Sequence, residues 1–114
     1  MSFKLGTTNN RAILIQDENY YDVEKISEGK ISSDSVQALE SMEELKKLAS
    51  SLADFTPSGK LSEINLGNPV PSSKNSYAVG LNYKGHAEEG GMEIPEVPMV
   101  FTKHTSCFVG PKDN

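Results

Sequence analysis

An α+β fold is predicted for this 114-residue sequence by three observations. β-prone runs open the chain, a helical apolar stripe follows over 36–52, and a strand–turn–helix–strand order closes it over 76–103. In "FKLGTTNNRAILIQDENYYDVEKI", residues Gly6 to Asn10 and Asp17 to Asn19 are turn formers between two apolar runs. That pattern predicts an antiparallel hairpin or meander. "GKISSDS" is polar and reads as a loop. In "DSVQALESMEELKKLASSLADF", Val36, Leu39, Met42, Leu45, Leu48 and Leu52 recur at helical spacing and make one apolar stripe. Ser41 followed by Glu44 fits a capping box, so the stretch is expected to be two short helices meeting near residue 40. Glu43 and Lys47, one turn apart, are placed to pair on the outer face.

"TPSGKLSEINLGNPVPSSKNS" has the Pro, Gly and Ser content of a connector. Beyond it "SYAVGL" reads as a buried strand and "NYKGHAEEGG" as a turn entering a helix. "PMVFTKH" reads as a second strand. Gly90 and Gly91 stop the helix, and Pro95 and Pro98 forbid its continuation. Two strands cannot form a covered sheet alone, so this half is expected to be the opening of a larger domain.

Composition narrows the function. Acidic residues outnumber basic ones 16 to 11, the net charge is −5, and Arg11 is the sole arginine. No basic run is available to neutralise phosphates, which argues against nucleic acid and against an anionic membrane surface. A single cysteine, Cys107, permits no intrachain disulfide, as suits a reducing compartment. The N-terminus lacks the apolar core of a signal peptide and no later stretch could span a bilayer, so a cytoplasmic location is expected.

The chemistry-bearing residues gather in "AVGLNYKGHAEEGG". Gly80 and Gly85 have P-loop spacing, but His86 and Ala87 stand where Lys and Ser or Thr are needed, so that motif is rejected. His86 and Glu89, three apart on a helix, share a face. A carboxylate accepting from one imidazole nitrogen would raise the basicity of the other, as a general base requires. A solvated helix start explains the same residues and stays open. His104 and Cys107 are too few for a closed zinc site. Lys103 on a strand has the alternative of lying along apolar surface with its ammonium in water.

The last 45 or so residues resemble the start of the catalytic domain of the fumarylacetoacetate hydrolase family. The matching elements are Val79-Gly80-Leu81-Asn82-Tyr83, His86, Glu89, Pro95 to Pro98, Phe101-Thr102-Lys103 and Gly110 to Asp113, in the family's order and spacing. The resemblance implies a small N-terminal β/α domain over 1–66. From 67 to 114 it implies the first strands and lid helix of a mixed β-sandwich or roll catalytic domain. It implies an enzyme cleaving a carbon–carbon bond in a small 2-oxo or 1,3-dicarbonyl acid. Sibling oxaloacetate decarboxylase or dienoate isomerase activities, and a non-catalytic β/α binding module, are the alternatives. By the correspondence His86 is the base and Glu89 its orienting partner, while Asn82, Tyr83 and Lys103 bind substrate. A divalent cation, Mg2+ or else Mn2+ or Ca2+, would stabilise the developing enolate. Its carboxylate ligands lie downstream in the family, so the chain is expected to be truncated before them and inactive alone. The full-length protein is expected to be a homodimer acting on a small oxo acid. One departure stands out: residue 104 is His where the family usually has Pro.

Overall fold

The structure, a computed structural model, describes residues 3–71 and 73–112. It divides into one unit of Met1–Ser72 with Phe108–Asn114 and another of Ser73–Cys107. The mixture of strands and helices is the expected α+β class.

In the first unit β1 (Lys4–Thr8), β2 (Arg11–Gln16), β3 (Asn19–Asp22) and β4 (Gly59–Lys60) form an antiparallel sheet in that order. The expected meander is present, with tighter turns than the composition indicated. Gly6 lies inside β1, and the first loop is Asn9-Asn10 alone, with φ of 49° and 59°. One favoured two-residue hairpin loop turns both central residues left-handed to match the strand twist, and asparagine tolerates this well. The second loop, Asp17-Glu18, is left-handed at Asp17 alone, φ 54°.

Three short helices cover one face: α1 (Val23–Ile26), α2 (Ser35–Glu40) and α3 (Met42–Ser50). The core joins Ala12, Leu14 and Tyr21 of the sheet to Val23, Ile31, Ala38, Leu45 and Leu52. The helices do meet near residue 40, and the expected stripe is buried only in part: Leu45 and Leu52 are in the core and Leu48 packs against it. Ser35 and Ala38 face inward on α2 and Leu45 on α3, while Met42 is 36% exposed. A break at Ser41 resets the phase, so one continuous helical period misplaces the core positions of α2. Ser41 makes no side-chain cap. Its N–H donates to Ala38 O, and its φ of −97° and ψ of 45° leave the extended conformation that a cap needs. Asp34 caps α2, accepting from Val36 N at 3.0 Å and Gln37 N at 2.9 Å. Glu43 pairs with Lys46 at 2.7 Å rather than with Lys47, because i+3 neighbours are as close as i+4 neighbours. That hydrogen bond holds the Glu43 carboxyl below its ordinary range.

The connector is more than a linker. Gly59 pairs with Tyr20, and a Cβ there would lie 2.9 Å from the Tyr20 ring, so glycine lets the ring cross it. Farther on, the chain runs along the free edge of β1. Gly67 N donates to Thr7 O at 2.9 Å, while Thr7 Oγ1 and Thr8 Oγ1 donate to Asn68 O and Asn65 O. An exposed strand edge is thereby closed to pairing with other chains.

One buried atom is left over. Ser35 is 1% exposed, and its Oγ lacks a hydrogen-bond partner among the described residues. A hydroxyl buried without a partner keeps its full desolvation cost. Ser35→Ala is therefore expected to stabilise the fold by about 1 kcal/mol, read as a higher midpoint in urea unfolding. An unchanged or lower midpoint would show that the hydroxyl is bonded in solution.

Candidate active site

In the second unit β5 (Tyr77–Gly80) and β6 (Met99–Thr102) pair antiparallel, Tyr77 opposite Thr102 and Gly80 opposite Met99. The expected burial of β5 is not found: Tyr77 is 66% and Val79 46% exposed, and all of β6 is exposed. A two-stranded ribbon has no second layer of its own to cover either face.

At the end of β5 the backbone reverses hand. At Gly80 a Cβ would make only ordinary contact, with Phe101 Cε1 at 3.5 Å and Met99 Cε at 3.6 Å. Leu81 then adopts φ 50°, a left-handed conformation uncommon for a side chain of its size. No residue-type signal marks this position, and sequence reasoning missed it. The turn carries Asn82 and Tyr83, both exposed, off the strand and into α4 (Lys84–Glu89).

Tyr83 is the N-cap residue of α4, and its carbonyl accepts from His86 N at 3.0 Å. The helix ends as the two glycines predict. Met92 N donates to Ala87 O, Gly91 N donates to Glu88 O, and Gly91 sits at φ 60°. This double closure needs a left-handed residue after the last turn, which glycine supplies without a Cβ clash. Ala87 is fully buried and anchors the helix, so His86, Glu88 and Glu89 face outward and are exposed.

His86 and Glu89 lie one helical turn apart on a shared face, without a hydrogen bond between them among the described residues. Glu88 turns elsewhere, its carboxylate 3.7 Å from the Lys84 ammonium. Asn82, Tyr83, His86 and Glu89 thus occupy one turn-and-helix segment. Lys103 does not join them. Its N–H donates to Ser76 O at 2.9 Å, at the Tyr77–Thr102 end of the ribbon. Three residue steps separate that end from Gly80, about 10 Å at the usual rise. The Lys103 ammonium lies 5.9 Å from the Phe101 ring centroid, a cation–π distance. Asp113, the last residue of the matched pattern, lies outside the described residues.

The resemblance implies a divalent cation, but the described residues do not fit one: nowhere do three or more His, Cys, Asp or Glu side chains gather to hold it. Hard cations need six or more oxygen ligands, so no step is assigned to a metal here. Among the described residues no helix is long and apolar enough to cross a membrane.

No family model matches the chain. Individual proteins do. It is 33% identical to the oxaloacetate tautomerase YisK of Bacillus subtilis over 135 aligned positions, which cover 99% of this chain and 44% of that protein. It is 36% identical to the mitochondrial oxaloacetate tautomerase FAHD2A of Bos taurus over 63 residues, 55% of this chain and 20% of that one. A crystal structure provisionally assigned as HpcE from Mycobacterium smegmatis superposes with a TM-score of 0.81 at 33% identity, covering 94% of this chain and 38% of that one. The chain therefore spans less than half the length of these relatives. Motif order, relatives and structural neighbour agree: the chain belongs to the fumarylacetoacetate hydrolase family.

Proposed function

We propose that this chain supplies the base-carrying part of an active site that moves a proton on a small 2-oxo acid of the oxaloacetate type. The observation that carries this reading is α4 itself, which presents His86 and Glu89 together, exposed and one turn apart, beside Asn82 and Tyr83. Both side chains are free to rotate, and a rotamer change on their shared face brings the carboxylate to one imidazole nitrogen. The other nitrogen then takes a proton from the carbon next to the carbonyl, and the bonding pair moves toward oxygen to give the enolate. Delivery of a proton to that oxygen gives the enol and completes a tautomerisation. The same base acting on water would serve carbon–carbon hydrolysis, the activity expected from the family resemblance. The names of the two tautomerase relatives favour the first.

The test is an assay of the full-length gene product with Mg2+. Loss of the ultraviolet absorbance of enol-oxaloacetate reports tautomerisation. Pyruvate release from oxaloacetate and cleavage of an acylpyruvate report the lyase and hydrolase activities. Acceleration of the first supports the proposal, and the last two distinguish its siblings. If none is accelerated, the site is not catalytic for oxo acids. The 114-residue chain alone is expected to be inactive in all three, since its described residues gather no cation site.

A further inference from the structure

We propose that the end of the β5–β6 ribbon remote from α4 is a binding site for a small oxyanion. The cavity there, of about 250 Å³, is lined by Lys74, Asn75, Ser76, Tyr77 and by Thr102 to Thr105. Two lysines and His104 are among its lining residues, with asparagine, serine, tyrosine and threonine beside them and no acidic residue.

The rest of the unit shows that charge is sorted along it. Glu88 and Glu89 stand on α4, while Glu93 and Glu96 lie in the loop that leads to Met99, at the Gly80 end. Lys74, Lys103 and His104 stand at the Tyr77–Thr102 end. Separation of this kind focuses positive potential at one end, where an anion gains from both lysines at once. The frame is tied together, because Lys103 N donates to Ser76 O and Cys107 N donates to His104 O at 3.0 Å. The two segments that line the cavity are therefore held in register before a ligand arrives. The volume suits inorganic phosphate or a short dicarboxylate, which share a pair of charged oxygens spaced for two ammonium donors. The His86 reading is not needed for this inference.

Inorganic phosphate and malonate are the probes, titrated into the ¹⁵N-labelled chain at constant ionic strength with chloride as the control. Amide shifts concentrated at 74–77 and 102–105 are expected. The combined Lys74→Gln and Lys103→Gln variant should weaken that response at least about tenfold, as expected for losing two charge-assisted contacts. Lys84→Gln, outside the cavity, should leave it unchanged. Retention of the parent's amide spectrum shows that the double variant is folded. Preference for phosphate or for malonate names the oxyanion. Shifts shared by all lysines, equal effects of chloride, or an undiminished response in the folded double variant would each overturn the site.

Discussion

His86→Ala in the full-length gene product is expected to lower kcat by about 10²–10⁴-fold, the usual contribution of a positioned general base. KM should move little, because a group acting on the proton in flight contributes mainly in the transition state. The neighbouring carboxylates make the prediction specific. Glu89→Gln keeps the imidazole but removes the charge that would orient it, so its loss should be real but smaller. Glu88 faces Lys84 at 3.7 Å, and both side chains are exposed; such a pair contributes little. Glu88→Gln should therefore keep nearly full activity. The expected order is His86, then Glu89, then Glu88. Steady-state kinetics on the three variants decide it. Equal losses for Glu88→Gln and Glu89→Gln would mean that α4 presents a different face, and full kcat in His86→Ala would reduce the segment to a solvated helix.

That order could be written down from the sequence because the helix is short and punctuated at both ends. Gly90 and Gly91 have one physical use after an outward-facing histidine, and the structure puts them to it in the double closure onto Ala87 and Glu88. The same holds for Asn9-Asn10, where two tolerant residues between β-prone runs leave few turns to choose from. Where the sequence misleads, competing solutions are nearly equal in energy. Ser41 is a good cap by type, yet it gives α3 no side-chain bond and its N–H is spent closing α2. Glu43 has two lysines within reach and uses the nearer one. The strand at Gly59–Lys60 is two residues long and exists only because Tyr20 and Asn19 pair with it; no local pattern could announce it. The candidate site divides the same way. Its turn-and-helix half is local and legible. The distance of Lys103 from it depends on the register of β5 against β6, a non-local fact. The left-handed Leu81 has no signature at all, since leucine is not selected for that conformation.

The largest stability effect is expected at Asp22. Its carboxylate accepts from Arg11 Nε at 2.7 Å, Arg11 Nη2 at 3.0 Å and the Lys25 backbone N–H at 3.0 Å, while its own N–H donates to Ser58 Oγ at 2.9 Å. One residue thus caps α1, joins β3 to β2 and receives the connector. Asp22→Ala removes the cap and the two-pronged ion pair together. Arg11 keeps Glu24 at 2.7 Å and is 37% exposed, so its charge is not stranded. The combined loss should be about 2–3 kcal/mol, lowering Tm by roughly 10–20 °C. Arg11→Met should cost a comparable amount for the opposite reason. It leaves the Asp22 carboxylate, 8% exposed, with only the Lys25 N–H. The pH dependence separates charge from packing. Burial alone would push the Asp22 carboxyl up, but the Arg11 hydrogen bonds, the Lys25 N–H and the two positive charges outweigh it, and the group titrates below its ordinary value of 3.8. With the folded value depressed, the unfolded chain binds more protons between the two values, so stability rises with pH across that window. The contribution is complete above about pH 5 and lost as pH falls through the folded value. Asp22→Asn cannot titrate and should lose that part of the acid dependence. Urea unfolding of parent and variant between pH 3 and 7 measures it. Parallel stability curves across this range would show that the Arg11–Asp22 pair contributes through packing and hydrogen bonding alone, without charge.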